Sequence, residues 1–182
     1  MSRFAFESVI LAAVFCAAPL QSRAQSPSSP QPSAAMKAVA FLAGHWEGQG
    51  WMRRGPGEPQ RFQSVEQVEP RLGGSILTIE GRHWESDPKI LVHNAFAVLS
   101  ASPSGEGYDF RSYLADGRGG SFPAKVVDGA FVWQMSPAEG TQIRYTIRVD
   151  GAKWHEVGEM SRDGTTWTQF FGMDLERKPP SE

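Results

Sequence analysis

Residues 153–175 read KWHEVGEMSRDGTTWTQFFGMDL, and their alternation decides the fold. Trp154, Glu156, Gly158 and Met160 alternate with His155, Val157 and Glu159; further on, Trp167, Gln169, Phe171, Met173 and Leu175 alternate with Thr166, Thr168 and Asp174. A period of two is the signature of a strand, whose successive side chains point to opposite faces. Between the two halves, residues 161–165 carry an Asp163-Gly164 step, which supplies the positive backbone dihedrals of a short hairpin turn. The chain therefore ends in a β-hairpin. One of its faces bears Trp154, Trp167 and Phe171 together with Glu156 and Gln169, and a face so composed lines an interior.

Working outward, the same pattern repeats. Residues 36–42 are mostly good helix formers and predict one or two turns of helix. The glycine-interrupted run from His45 to Trp51 predicts a strand that bends. Further strands are expected over 60–69, 75–84, 90–100, 108–114, 121–127, 131–135 and 142–149, with Asp-Gly, Pro or Gly turn chemistry between them. With the final hairpin this makes about ten strands and no helical period after Leu42. Short connections between successive strands imply a meander, and a meander of this length removes its edges most simply by closing. The expected fold is all-β: a closed or nearly closed antiparallel up-and-down barrel with a short N-terminal helix, the alternative being two stacked sheets.

The domain is expected to span residues 36–178. Residues 1–24 have a basic start, an apolar run over 8–20 and Ser22-Arg23-Ala24 ahead of a cleavage point, which predicts a secretory signal and a periplasmic or secreted protein. That apolar run is shorter than the roughly 20 residues that cross a bilayer, so no span remains after cleavage. Residues 25–35, QSPSSPQPSAA, read as a disordered leader, and residues 179–182 as a tail. The single cysteine, Cys16, falls within the signal, leaving the remainder without disulfides or thiolate chemistry. Cleavage removes Arg3, Glu7 and Arg23, a net +1, so the formal charge moves from −2 to −3. A balance that small gives no electrostatic reason for a nucleic-acid partner.

Phe41-Leu42-Ala43-Gly44-His45-Trp46 resembles the opening of the lipocalins and calycins, a short helix running into Gly-x-Trp, and Arg177 is placed like the arginine that covers that tryptophan. The run from Trp154 to Lys178 is similar to the end of a group of exported bacterial proteins of unknown function assigned calycin-like barrels. The resemblance implies a fold, with Gly44, Trp46 and Arg177 as its structural signature. Nitrobindin-like haem-binding barrels share the opening; they imply haem as a cofactor, with isomerase or oxidant-scavenging activity. They hold it by a histidine near the carboxyl end, and residues 165–175 here contain none. Residues 161–167 also resemble the Asp-box of sialidase propellers, one residue short.

Strand parity nominates Trp133, Tyr145, Trp154, Glu156, Gln169 and Phe171 as lumen residues, with Phe131, Met135, Ile143, Ile147 and Val149 on the same wall and Arg144 and Arg148 outside. Aromatic walls with a few polar groups suit a small hydrophobic or amphipathic ligand; the same side chains can also fill a barrel completely, as a structural or interaction module. Of the histidines His45, His83, His93 and His155, only His83 and His93 can share a face on adjacent strands, and no metal-binding spacing occurs. No nucleophile elbow, paired carboxylates or phosphate-cradling glycine loop is found. The expectation is a non-catalytic ligand-binding barrel with no metal and no required cofactor, and nothing in the sequence sets its oligomeric state.

Overall fold

A computed structural model describes residues 31–85 and 90–179; the predicted signal and most of the leader lie outside them. A short helix α1 (Ala34–Ala38) and a 3-10 turn (Ala40–Leu42) lead into ten strands: β1 (Gly44–Met52), β2 (Gln60–Arg71), β3 (Ile76–Trp84), β4 (Leu91–Ala101), β5 (Tyr108–Leu114), β6 (Gly119–Val127), β7 (Ala130–Ala138), β8 (Thr141–Asp150), β9 (Lys153–Ser161) and β10 (Thr168–Lys178). Each strand pairs antiparallel with its sequence neighbours, and β1 pairs with β10 from His45–Lys178 to Met52–Phe171. The sheet is a closed barrel, as the alternation predicts. No helix among the described residues is long and apolar enough to cross a membrane.

The turn residues act as their chemistry requires. Asp128 and Gly129 both have positive φ, 49° and 74°, the type I′ geometry whose twist matches a two-residue hairpin. In the β9–β10 turn only Gly164 takes the left-handed conformation; Asp163 works through its side chain instead. Its carboxylate accepts hydrogen bonds from the backbone N–H of Thr165 and Thr166, at 2.8 and 2.7 Å, which hold its pKa well below the usual carboxylate range.

One end of the barrel is plugged. Ser33 caps α1, its Oγ accepting from Met36 N at 3.2 Å, so the helix begins at Ala34, two residues before the predicted start. Met36, Val39 and Leu42 are 0–3% exposed, and Tyr108 Oη on β5 donates to Ala35 O at 2.8 Å. Trp46 Nε1 donates to Leu42 O at 2.9 Å, while the Arg177 guanidinium lies 4.0 Å from the Trp46 ring and donates to Ala43 O and Phe41 O. Gly44 is required here: its φ is +148°, and a Cβ would stand 2.4 Å from Arg177 Nη1. The Gly-x-Trp pattern and the distant arginine are thus one contact.

Parity fails at a single place. Gln169 pairs with Glu159 but Phe171 pairs with Gly158, a β-bulge that leaves Phe170 without a partner on β9, while its carbonyl accepts from Arg53 N at 2.7 Å. Phe170 and Phe171 both pack against Tyr145, with ring centroids 5.9 and 5.7 Å away. Everything before the bulge is displaced by one residue in parity, which corrects the expectation for Trp167 and Gln169. Trp167 lies on the outer wall, with the Arg144 guanidinium 4.0 Å over its ring, and Arg144 is itself bonded to Glu159 at 2.9 Å. Gln169 is exposed on the same outer surface, donating to Phe171 O at 3.1 Å.

The Arg177 contact joins the last strand to the plug through two carbonyls and an indole face, interactions worth about 1 kcal/mol or somewhat more each. Replacing Arg177 by Ala should destabilise the barrel by roughly 2–3 kcal/mol and lower Tm by about 5–10 °C. Thermal and urea denaturation followed by tryptophan fluorescence measures it; a loss below about 1 kcal/mol would mean the plug holds without this residue.

Candidate functional site

The lumen encloses a cavity of about 430 Å³, within the range of small-molecule sites. Its position follows from where the strands place bulk. Toward the plug the interior is solid: Trp46, Leu99 and Phe131 are fully buried, and Trp46 meets Trp154 edge to face at 5.4 Å. Toward the other end small residues face inward, among them Gly81, Ala95 and Gly120, and these line the cavity. The cavity reaches the surface at that end, because Arg118, whose side chain is 77% exposed and paired with Asp116, also lines it.

The walls are aromatic. Trp133 and Tyr145 stack with centroids 4.4 Å apart, Phe110 and Phe122 lean on Trp133, and Phe62 stacks on His83 at 4.5 Å. Glycines opposite these rings make the arrangement possible: a Cβ at Gly158 would lie 2.8 Å from both Tyr145 and Phe171. Of the six lumen candidates from the sequence, Trp133, Tyr145, Trp154, Glu156 and Phe171 line the cavity together; Gln169 does not, for the reason given by the bulge.

Two carboxyl groups are set into this apolar wall. Glu156 on β9 is 8% exposed and accepts from Trp154 Nε1 at 3.2 Å through Oε2. Glu66 on β2 is 7% exposed; its Oε1 shares a hydrogen bond of 3.1 Å with His83 Nε2 and accepts a long one, 3.5 Å, from Ser64 Oγ. The carboxyl of Glu66 lies over Gly81, where a Cβ would come within 2.6 Å of it. His83 faces His93 across the β3–β4 ladder, ring centroids 4.8 Å apart. Burial pushes the Glu66 carboxyl up to about 8, and burial, with the charge of Glu66 nearby, pushes Glu156 up to about 8. Burial also lowers His83 and His93 to about 4 and raises the Tyr145 phenol, an effect to which Glu156 adds.

Glu66 is the residue that sequence reasoning missed. Its strand alternates Phe62, Ser64, Glu66, Val68 against Gln63, Val65, Gln67, Glu69, and the apolar ends of the first set were the available signal for the inward face. His83 and His93, expected to share a face, do so. Among the described residues no group of three or more His, Cys, Asp or Glu is arranged to hold a metal ion.

These shifts set a pH dependence. Below pH 4.5 the carboxyls of Glu66 and Glu156 are protonated in both states; between 4.5 and about 8 the fold holds two protons that the unfolded chain releases, so stability falls as pH rises. His83 and His93 act oppositely between about 4 and 6.5, where the unfolded chain takes up protons that the fold refuses. The slopes cancel from 4.5 to 6.5; above it the two carboxyls dominate, and His45, raised by its hydrogen bonds to Glu47 and Gln67, adds a smaller decline of the same sign. Stability measured by urea denaturation should therefore be level between about pH 5 and 6.5, decline to about pH 8 and flatten, and in the Glu66→Gln, Glu156→Gln double variant most of the decline should disappear, leaving the small part that His45 contributes. An equal decline in that variant would place its origin elsewhere.

No protein-family model matches this sequence, and no curated protein matches it either. Among solved structures, the crystal structure of Rv2717c from M. tuberculosis is similar with a TM-score of 0.61 at 14% sequence identity, covering 82% of this chain and 100% of that one. At that identity the likeness is one of fold.

Proposed function

We propose that this barrel binds a small hydrophobic or amphipathic molecule in its lumen and performs no covalent chemistry on it. The observation that carries the reading is the cavity of about 430 Å³, walled by Trp133, Tyr145, Phe110, Phe122 and Phe171 and reaching the surface beside Arg118. A barrel built only as a structural module has no need of inward glycine and alanine at one end while its other end is filled. The Gly44-x-Trp46 opening covered by Arg177 supports grouping it with the calycins, and the composition of residues 1–24 supports an exported setting.

The neutral fluorophore N-phenyl-1-naphthylamine tests the reading. Its emission should rise and shift to the blue on addition of protein, and Ala95→Phe, which puts a ring into the cavity opposite Gly81, should abolish the rise while leaving Tm unchanged or higher. No uptake by the parent protein, or equal uptake by the folded Ala95→Phe variant, would make the filled-barrel module the better account. The haem alternative draws its support from His93, whose ring lines the cavity and makes no hydrogen bond among the described residues. A Soret band on adding haemin that His93→Ala removes would favour haem over an apolar ligand.

A further inference from the structure

The lumen carries more hydrogen-bonding capacity than the protein uses. Glu156 Oε1, Glu66 Oε2 and the Tyr145 hydroxyl have no hydrogen-bond partner among the described residues. No sealed, non-exposed side-chain nitrogen or oxygen among those residues lacks a partner, so these three oxygens open onto the cavity that their residues line. Among the described residues no Lys or Arg lines the closed part of the lumen around them. Glu66, His83, His93, Tyr145 and Glu156 are the titratable side chains of the inner wall among the described residues; of their Lys and Arg side chains Arg118, at the mouth, lines the cavity, and Arg54 acts on His93 from outside the lining. Arg177 is committed to the Phe41 and Ala43 carbonyls and the Trp46 ring.

From this we infer that the ligand is an organic cation, a protonated amine on an apolar, preferably aromatic body, whose ammonium group is held by Glu156 and Glu66 against the faces of Tyr145, Trp133 and Phe171. This rests on the lumen-binding reading and goes further by fixing the sign of the ligand. Three arguments select a cation. An ammonium group has three N–H donors, matching unoccupied oxygens on Glu156 and Glu66 with a third to spare for the Tyr145 oxygen. Aromatic faces attract a cation through their quadrupole, and a carbonyl or an anion gains nothing comparable. Ionising a buried carboxyl is costly without a counter-charge, and among the described residues the protein supplies no Lys or Arg in the closed part of the lumen, so an entering cation is what makes the ionised form favourable. A ligand that only accepted hydrogen bonds would be served by hydroxyls or amides at these positions.

Binding a cation here also moves protons. The two carboxyls, held up near 8 in the free lumen, should ionise as the ammonium enters, because an adjacent positive charge favours the charged form. The complex therefore forms with release of protons at neutral pH.

The test uses one body with three head groups, 4-phenylbutylamine, 4-phenylbutanol and 4-phenylbutanoate, titrated into the full folded domain by calorimetry in two buffers of different ionisation heat. The expected order is amine first, with the alcohol weaker by about tenfold or more and the carboxylate weakest, and proton release for the amine alone. Glu156→Gln should weaken the amine by about tenfold while leaving the alcohol within about twofold, with Glu66→Gln as the second variant should the first unfold. Alcohol or carboxylate binding as tightly as the amine overturns the cation assignment and leaves the lumen reading in place. The same holds for an amine preference that survives both substitutions. Absence of binding by all three compounds overturns it too, and uptake of N-phenyl-1-naphthylamine by the same sample then tells whether the lumen reading has fallen with it.

Discussion

The pairing of β1 with β10 is the constraint on which everything else rests. It is the longest-range ladder of the chain, joining residues 44–52 to 168–178, and it converts a ten-strand ribbon with two bare edges into a sheet with none. An open ribbon would leave both carboxyls in water with ordinary titration and the aromatic rings without a facing wall. Closure is locked from inside by Trp46 and Arg177, which are register partners on the two strands and pack on one another at 4.0 Å. The same pair also binds the plug, so closing the barrel and stopping its lower end are one event in the structure.

Closure fixes the diameter, and side-chain size along each strand then decides what is filled. The interior varies along its axis: large side chains fill the plugged end, small ones such as Ala95 and Gly81 follow, and His83 and His93 stand beyond them toward the mouth. On β4 the inward series runs Leu99, Ala97, Ala95, His93, and on β3 Leu77, Ile79, Gly81, His83. Fully buried Leu99 sits at one extreme and cavity-lining Ala95 and His93 at the other. A packed core and an open chamber are thus two halves of one lumen. The solid half carries the stability that the empty half forgoes, since an unfilled apolar wall lacks dispersion partners on one side.

Most of this was legible because a closed meander has only two faces, and a period of two assigns each residue to one of them. Strand number, helix position and the inward set on β7, β8 and β9 follow from that rule together with Gly, Pro and Asp-Gly punctuation. What resisted was the one place where the rule is suspended. Phe170-Phe171 offers two equal rings, and the adjacent Gly172 does not mark which of them is the extra residue, so alternation alone does not count two residues against Gly158, and Trp167 and Gln169 end on the wrong wall. Glu66 was obscured differently: its strand mixes polar and apolar residues on both parities, and only Phe62 and Val68, six residues apart, reveal the inward face.

The two carboxyls are not demanded by the architecture. Trp154 Nε1 needs an acceptor, and an amide oxygen at position 156 would serve it as well as a carboxyl does; the same is true of His83 and position 66. Gly81 leaves room for the head group of Glu66, and an amide occupies nearly the same volume. Glutamine at both positions would keep the hydrogen bonds and remove the cost of burying ionisable groups. The acids therefore contribute something other than barrel stability. The property an amide lacks is the capacity to become negative when something positive enters, and the proposed cation binding rests on it. Their location in the wall of the lumen cavity says where that something would have to be.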